Sequence, residues 1–390
     1  MTSGKALSGR YAIVGVGDTK IGRVPEQTKT GLAVLAGARA IRDSGMDRSE
    51  IDGVLTSQMG PTFIYSLELA TRLGIKPRYT TVMELGGATS VCMAQQAIAA
   101  MELGLCQAVL CIHSQKQQTE GTRPRHGGQI LRGFDEFDRP FGHPGAIAVH
   151  AMAARRHMHD YGSTSEDFGR VAVAMRRHAS LNANAQRQEP ITIDDHQASP
   201  WVVEPFRLLD CCQVSDGAGA FVVTTAERAR DLAKPPVPIL GFSQYHPHRF
   251  LSERTANLTS TGATISGPSA FAMAGLSPAD VDVAELYDCF TYVVLTELED
   301  YGFCKKGEGS GFVQEGNIEI GGALPVNTHG GLLSQGHVEG MIHVVEAVRQ
   351  LRGGEVEPER QVTDAEVALV SGHGGQMSTH GTLLLGSMTG

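Results

Sequence analysis

The segment Gly45-Met-Asp-Arg-Ser-Glu-Ile-Asp-Gly-Val54 has a counterpart in the second half of the chain, Gly275-Leu-Ser-Pro-Ala-Asp-Val-Asp-Val-Ala284. Each copy begins with a glycine that can end a helix, because glycine adopts the left-handed backbone conformation at little cost. Each then has an Asp or Ser that can cap a turn, and each leads into an apolar strand. Because other elements surround the two copies in a similar order, the repeat predicts a duplicated fold.

The elements around the first copy alternate between strand and helix. Short apolar runs predict buried strands, and apolar residues at helical spacing predict helices. The predicted order is a strand at 11–16, a helix at 31–44, a strand at 51–55, a helix at 89–101 and a strand at 107–112. This alternation indicates a layered α/β fold.

The second half shows the same kind of alternation. It contains predicted strands at 238–242, 367–370 and 382–385, and predicted helices at 290–301 and 339–351. These elements can build a second α/β unit on the plan of the first.

The stretch between the two halves differs in composition. It is rich in Gly, Pro, His and Arg, and it contains a predicted pair of helices at 145–161 and 165–182. We therefore expect three parts, namely an N-terminal half (1–113 and 207–232), an inserted loop and helical region over the active site (114–206) and a C-terminal half (233–390).

The overall composition excludes several classes of protein. The 390 residues include 33 Lys and Arg against 42 Asp and Glu, a formal charge of -9, whereas nucleic-acid binding relies on clustered cations. No run approaches the roughly 18 apolar residues of a membrane span, and the start of the chain has no apolar core like that of a signal peptide. Seven cysteines without a CxxC pair indicate neither a disulfide framework nor a metal site. The sequence predicts a cytoplasmic protein without nucleic-acid, membrane or metal binding.

Three further stretches carry a family resemblance. They are Asp210-Cys-Cys-Gln-Val-Ser-Asp-Gly-Ala-Gly-Ala220, Ala284-Glu-Leu-Tyr-Asp-Cys-Phe-Thr291 and Asn327-Thr-His-Gly-Gly-Leu-Leu-Ser-Gln-Gly-His-Val-Glu-Gly340. Together they resemble the thiolase superfamily, and especially its sterol-carrier-type, lipid-transfer-protein-like branch. The resemblance runs from about Tyr11 to the C-terminus. It implies a duplicated, five-layer α-β-α-β-α fold, which agrees with the repeat found independently.

The nucleophile of a working thiolase is missing from this chain. It is a cysteine at a helix N-terminus, where the helix dipole and N–H groups lower the thiol pKa. The resemblance places it at Gly87, followed by Ala88, and neither side chain can attack a thioester. Cys92 would lie roughly 140° around and about 7.5 Å along the helix from there, so we interpret it as a core residue. The second family cysteine falls near Ser371. The resemblance therefore implies a site that forms no acyl-enzyme.

Four residues remain as candidate catalytic groups: His337, Tyr287, His373 and Asn327. By resemblance, His337 matches a thiolase histidine that helps to bind the thioester oxyanion, and Tyr287 matches a tyrosine of the CoA-ester aldolases in this branch. A second aldolase tyrosine falls where this chain has His337, which is a departure from the aldolase pattern. An ordinary imidazole has a pKa near 6.5 and an ordinary phenol one near 10. Either His337 or Tyr287 can be the base, and the order between them stays open.

Other candidates would contact the substrate. Four glycines are expected to approach it through the main chain: Gly87, Gly331, Gly374 and Gly375. The amides of the last two suit a thioester oxygen. His143, near the start of a predicted helix in the insertion, is a further candidate, and the basic cluster Arg123-Pro-Arg-His126 is a candidate contact for CoA phosphates.

A site with enolate stabilisers but no nucleophile can break a carbon–carbon bond by retro-aldol cleavage of a β-hydroxyacyl-CoA, in the degradation of lipid or steroid side chains. That is the favoured hypothesis. The alternatives are a thiolase-type acyltransferase and a non-catalytic acyl-CoA- or lipid-binding protein. The CoA thioester is a substrate here, and no bound cofactor is expected. The resemblance also implies a homodimeric core and a heteromer with a small OB-fold, zinc-ribbon protein.

Overall fold

The computed structural model describes residues 5–57, 62–121, 140, 145–249 and 258–388. Its strands are β1 (Tyr11–Asp18), β2 (Gly53–Ser57), β3 (Tyr79–Met83), β4 (Ala108–Lys116), β5 (Trp201–Val203), β6 (Phe206–Arg207), β7 (Asp216–Thr225), β8 (Val237–Tyr245), β9 (Val283–Glu285), β10 (Val367–Gly374) and β11 (Thr379–Gly386).

The α-helices of the described residues are α1 (Lys29–Ser44), α2 (Tyr65–Leu73), α3 (Thr89–Glu102), α4 (Gln117–Glu120), α5 (Ala146–Tyr161), α6 (Ser165–Ser180), α7 (Ile193–Ala198), α8 (Ala226–Ala229), α9 (Ala263–Ala274), α10 (Thr291–Asp300), α11 (Gly309–Gln314) and α12 (Met341–Arg352). Among these helices there is no candidate for a membrane-spanning segment.

The main sheet has two parts joined by a short contact. Its nine strands lie in the order β3-β2-β4-β7-β1-β8-β11-β10-β9. β1 pairs with β7 along its whole length, but it meets β8 only where Ala12 and Ile13 face Pro238 and Val237. The sheet therefore consists of a five-stranded N-terminal part and a four-stranded C-terminal part.

Helices cover both faces of each part. α3 and α12 share one apolar core with strands from both parts, so they form a central layer. α1 and α2 pack on the other face of the N-terminal strands, and α9 and α10 pack on the other face of the C-terminal strands. A helix between two sheets must be apolar on more than one face, as the Ala- and Met-rich α3 is. These layers confirm the predicted duplicated α-β-α-β-α fold.

The sequence repeat marks equivalent turns in the two halves. Gly45 ends α1 with φ 70° and Gly275 ends α9 with φ 73°, both in the left-handed region. Shortly after each glycine, a backbone N–H donates to a carboxylate three residues on, from Asp47 to Glu50 in one copy and from Ser277 to Asp280 in the other. The same helix-ending glycine and the same backbone-to-carboxylate hydrogen bond therefore precede β2 and β9.

The inserted region packs against the C-terminal half. α5 and α6 contribute to an apolar cluster with α10, in which the rings of Phe168 and Tyr292 meet edge to face. Beside this cluster, His196 is 2.8 Å from Asp210, which also accepts a hydrogen bond from Thr291. These contacts hold α5 and α6 against α10.

Candidate active site

The Tyr287 ring packs against Gly87, the position at which the family resemblance places the nucleophile. Gly87 lies just before α3, and Tyr287 follows β9 by two residues. A Cβ atom built on Gly87 would be 2.1 Å from Tyr287 Cζ, 2.2 Å from its hydroxyl and 2.3 Å from the His373 carbonyl oxygen. Any side chain at position 87 would therefore compete with the tyrosine ring for the same space.

Tyr287 is hydrogen-bonded to His337. The Tyr287 hydroxyl lies 3.1 Å from His337 Nε2, in the loop that precedes α12. The His337 backbone N–H donates to Ser215 Oγ, and the Gln115 side-chain amide donates to the His337 carbonyl oxygen and lies 3.3 Å from Nδ1. The strand ends of β4 and β7 therefore hold the imidazole edge-on to the phenol, where the two can share a proton.

The segment that carries Tyr287 is fixed from two sides. Asn327 accepts from the Leu286 N–H at 2.7 Å and donates to the Leu286 carbonyl oxygen at 2.8 Å. The Tyr287 N–H donates to Ser371 Oγ, which in turn donates to Glu297. Asn327 is a predicted catalytic residue. Both of its amide atoms are engaged with the Leu286 backbone, so in the structure it positions the segment that carries Tyr287.

Asn327→Ala is expected to destabilise the protein by about 3 kcal/mol, because it leaves two buried polar groups of Leu286 without partners. Asn327 also has φ 51°, a conformation that costs alanine more than asparagine. Chemical denaturation measures the loss. The control is Asn317→Ala, which removes only a bond to the exposed Glu315 and should change stability by less than about 0.5 kcal/mol. Equal stability of the two variants would contradict this assignment.

Burial keeps both members of the Tyr287–His337 pair uncharged. It raises the pKa of Tyr287 well above 10, and nearby Cys289 and Glu339 raise it further. It lowers the pKa of His337 to about 4. The ordinary pKa values assumed from the sequence therefore do not hold at this site. At neutral pH the pair is a protonated phenol beside a neutral imidazole, so it can relay a proton but carries no resident charge.

No cysteine is activated for attack. All seven cysteines lie in the described residues as free thiols, and burial raises the pKa of every one. Cys92 is a buried residue of α3, and its pKa is raised to about 12. A thiolase needs the opposite shift, toward a thiolate at neutral pH.

His373 is paired with a residue that the sequence did not single out. His150, on α5 of the inserted region, places its Nε2 atom 3.0 Å from His373 Nε2. The His373 ring also lies 6.4 Å from that of Tyr287, measured between centroids. His150 and His157 are the buried polar residues of this Ala-rich helix, and that pattern did not distinguish His150 as a site residue. The same holds for Gln115, at the polar end of the buried strand β4.

The predicted glycines take two different places. Gly374 and Gly375 pack against the loop before α3, and a Cβ atom built on Gly374 would lie 2.9 Å from the Gly87 nitrogen. Gly331 lies against the carboxylate of Asp288, 2.0 Å from where its Cβ would be. Asp288 accepts hydrogen bonds from the N–H groups of Leu332 and Leu333. It therefore caps the turn that begins at Gly331 and not α10. Gly331 is therefore a packing position for this turn.

Two predicted contacts lie outside the described residues. They are His143 and the basic cluster at 123–126.

Stability is expected to fall as the pH is lowered from about 6.5 to about 4. Burial lowers the pKa to about 3 or 4 in five histidines: His113, His178, His329, His337 and His380. An unfolded histidine binds a proton near pH 6.5, so below that pH the unfolded state binds more protons and gains stability. Even one such histidine lowers the free energy of unfolding by about 2 kcal/mol at pH 5.

Denaturation midpoints at pH 7.5 and pH 5 measure this loss. Replacement of His178 by Gln should reduce the difference, whereas replacement of the exposed His159 should leave it unchanged. Equal midpoints at the two pH values would rule out the neutral, buried histidines.

Comparison with known proteins agrees with this architecture. Residues 243–387 match the family model described as thiolase C-terminal domain-like. The chain is 40% identical over 378 residues to a steroid side-chain-cleaving aldolase of Thermomonospora curvata, covering 94% of this chain and 96% of the relative. It is 38% identical over 391 residues to the 17-hydroxy-3-oxo-4-pregnene-20-carboxyl-CoA lyase of Mycobacterium tuberculosis, covering 97% and 100%. The solved structure named "Ltp2-ChsH2(DUF35) aldolase" superposes with a TM-score of 0.89 at 38% identity, covering 98% of this chain and 99% of the other.

The fold and the site together define a thiolase-fold protein in which a tyrosine ring packs against the glycine segment just before α3. Full-length relatives at 38–40% identity then settle the family. The chain belongs to the thiolase superfamily, in the sterol-carrier-type branch that includes the CoA-ester aldolases.

Proposed function

We propose that this chain is a lyase that cleaves the Cα–Cβ bond of a β-hydroxyacyl-CoA by a retro-aldol reaction, with a steroid side chain as the acyl portion. The observation that carries the proposal is the Tyr287 ring, which fills the space beside Gly87 and is hydrogen-bonded to His337. The names of the two similar relatives, a steroid side-chain-cleaving aldolase and a CoA lyase, support the reaction and the substrate class.

The reaction needs a proton acceptor and then a proton donor. The substrate β-hydroxyl gives its proton to the Tyr287 oxygen while the phenol proton passes to His337 Nε2. The O–H electron pair becomes the C=O bond of the ketone or aldehyde product, and the electrons of the Cα–Cβ bond form the thioester enolate. The same relay returns the proton to Cα, so the products are a carbonyl compound and a shortened acyl-CoA. Acid–base groups of this kind contribute about 10²–10⁴-fold to a rate.

The developing enolate oxygen needs hydrogen-bond donors. The Gly87 segment and the Gly374–Gly375 segment come together beside Tyr287, and we propose that main-chain amides of these segments hold the thioester oxygen. A positioned donor of this kind is worth about 3–4 kcal/mol. The close packing also explains the glycines, since a Cβ on Gly374 would lie 2.3 Å from the Leu85 carbonyl oxygen.

The two alternative functions are less well supported. An acyltransferase of the thiolase type needs a thiolate, and all seven thiols have raised pKa values. A protein that only binds acyl-CoA has no chemical need of a phenol held against an imidazole at 3.1 Å.

We also propose two assemblies. The name of the solved relative joins Ltp2 with ChsH2(DUF35), so we propose a small DUF35 protein, of the OB-fold and zinc-ribbon type, as the partner that helps to bind the CoA ester. Among the strands of the described residues, β3 is the last on its side of the sheet, and Val82 on it is 40% exposed. A sheet edge of this kind is a template for pairing, and we propose that it contributes to a homodimer.

Product analysis tests the proposed reaction. The chain and its DUF35 partner are incubated with a steroid β-hydroxyacyl-CoA and, separately, with a short unbranched β-hydroxyacyl-CoA, with and without free CoA. A steroid carbonyl compound and a shortened acyl-CoA, formed without free CoA, are the expected products. A strict requirement for free CoA with two thioester products would establish acyl transfer instead, and binding without turnover of either ester would reject catalysis.

A further inference from the structure

Three side chains with metal-binding atoms meet close to Tyr287 and outside the proposed relay. Glu285 is the last residue of β9, His329 lies in the loop after Asn327, and His343 lies in the first turn of α12. Their exposed fractions are 0%, 1% and 0%. One ligand atom from each lies within 4.8 Å of the other two.

His343 presents an unprotonated nitrogen to this cluster. Its Nε2 atom lies 3.1 Å from the Leu286 carbonyl oxygen and 3.2 Å from an Asp288 carboxylate oxygen. Both neighbours are acceptors, so Nε2 carries the proton and Nδ1 carries a lone pair. Within the described chain, Nδ1 has no hydrogen-bond partner. Metal-binding histidines are oriented in this way, with the distal N–H held by a carbonyl or carboxylate.

Glu285 and His329 present further donor atoms. The Thr328 N–H donates to Glu285 Oε1 at 3.3 Å, whereas the Thr328 hydroxyl donates to Glu346 Oε1 at 2.6 Å. The other Glu285 oxygen, Oε2, lies 2.9 Å from His329 Nδ1 without the geometry of a hydrogen bond. Across the described residues, neither ring nitrogen of His329 has a hydrogen-bond partner. Buried polar atoms without partners cost about 1–3 kcal/mol each, so His343 Nδ1 and His329 Nε2, two such atoms in one place, call for a ligand.

The surroundings favour a cation. Asp288 and Glu346 are buried close by, and Arg360 pairs with Glu346. A divalent cation between these side chains would compensate the buried carboxylates of Glu285 and Asp288.

We propose that Glu285, His329 and His343 bind one divalent transition-metal ion, with Zn²⁺ as the natural choice for two imidazoles and one carboxylate. Zn²⁺ takes these ligands at about 2.0–2.2 Å in tetrahedral geometry, which places donor atoms about 3.3 Å apart and leaves a fourth position for water. The proposal is independent of the lyase activity.

The ion would hold the segment that carries Tyr287. The His343 ring stacks on the Tyr287 ring at 6.2 Å between centroids, and His343 Nε2 holds the Leu286 carbonyl group. A metal on the opposite nitrogen would fix the orientation of His343, and with it the position of the phenol. We therefore infer a structural ion that positions the site and does not contact the substrate.

Metal analysis of the full chain, produced with Zn²⁺ in the medium and passed over a chelating resin, tests the site. We expect on the order of one Zn²⁺ per chain, and less than about 0.2 in each of the variants Glu285→Gln, His329→Gln and His343→Gln. The matched control is His380→Gln, which removes an imidazole from a second buried group formed with Glu297 and His373 and should keep the zinc. If His380→Gln loses its zinc while the other three variants keep theirs, the assignment is overturned.

Two measurements on the unaltered chain remain decisive if the variants fail to fold. Protein produced with Co²⁺ in place of Zn²⁺ should show the d–d absorption bands of a four-coordinate site without a sulfur-to-cobalt charge-transfer band, because the site has no cysteine. Anomalous diffraction at the zinc edge should show a peak between the three side chains. Zinc-free protein of unchanged thermal stability, or a peak elsewhere, would reject the site in favour of a protonated Glu285 hydrogen-bonded to His329.

Discussion

Tyr287→Phe is expected to lower the rate of carbon–carbon cleavage by at least ~100-fold, because it removes the only oxygen that links the substrate to His337 in the proposed relay. The ring remains, so the packing against Gly87 is kept and the protein should stay folded. Steady-state formation of the carbonyl product, measured with saturating substrate, gives the loss in kcat. Circular dichroism and the denaturation midpoint confirm that the fold is retained.

His337→Gln should cause a loss of similar size, and the double variant should lose little more than either single variant. Residues that act as one unit are strongly non-additive in this way. If the fold losses in kcat of the two single variants multiply in the double variant, the two residues act in separate steps.

The chain offers a matched control in a second buried tyrosine that is hydrogen-bonded to a histidine. Tyr301 lies 2.8 Å from His380 Nε2 in the outer layer of the C-terminal half. Tyr301→Phe removes the same atom from the same kind of bond and should cost about 1–2 kcal/mol of stability, with kcat changed by less than about threefold. Losses under about threefold in both Tyr287→Phe and His337→Gln would reject the relay.

The fold could be predicted from the sequence largely because its core elements are strongly patterned. The buried strands β1, β4 and β10 are short apolar runs, and their predicted positions differ from the structure mainly at the ends. β3 was not predicted. Its sequence, Tyr79-Thr-Thr-Val-Met83, has alternating exposed and half-buried residues at the sheet edge, so it lacks the apolar run that marks a central strand.

The site could be predicted only in part, because motifs identify residues but not their partners. Tyr287, His337 and the absence of a nucleophile came from the resemblance, whereas the contact between Tyr287 and Gly87 joins residues 200 positions apart and is visible only in three dimensions. The pKa shifts are also a product of burial. The Glu285, His329 and His343 cluster has no short ligand spacing, which is why spacing alone indicated no metal site.

Gly87→Ala is expected to abolish activity and to destabilise the protein by about 3 kcal/mol or more, at the upper end of the cost of overpacking a core. The added methyl group would lie 2.1 Å from the Tyr287 ring and 2.3 Å from the His373 carbonyl oxygen. The backbone oxygen cannot move freely, so the tyrosine ring must be displaced from His337. For the same reason Gly87→Cys, which restores the thiolase residue, should lose lyase activity without gaining acyl transfer. The control is Gly311→Ala, where the added atom meets nothing within 4 Å.

A double-mutant cycle separates this clash from a general effect of alanine at position 87. Tyr287→Ala alone leaves a cavity and should be strongly destabilising. In the presence of Tyr287→Ala, however, the methyl group of Gly87→Ala no longer meets the tyrosine ring, and only its clash with the His373 carbonyl oxygen remains. The double variant should therefore be about 1–3 kcal/mol more stable than the sum of the two single losses predicts. Additive losses would mean that Gly87 and Tyr287 do not compete for space. In that case the tyrosine would not occupy the nucleophile position, and the physical basis of the proposed lyase mechanism would be lost.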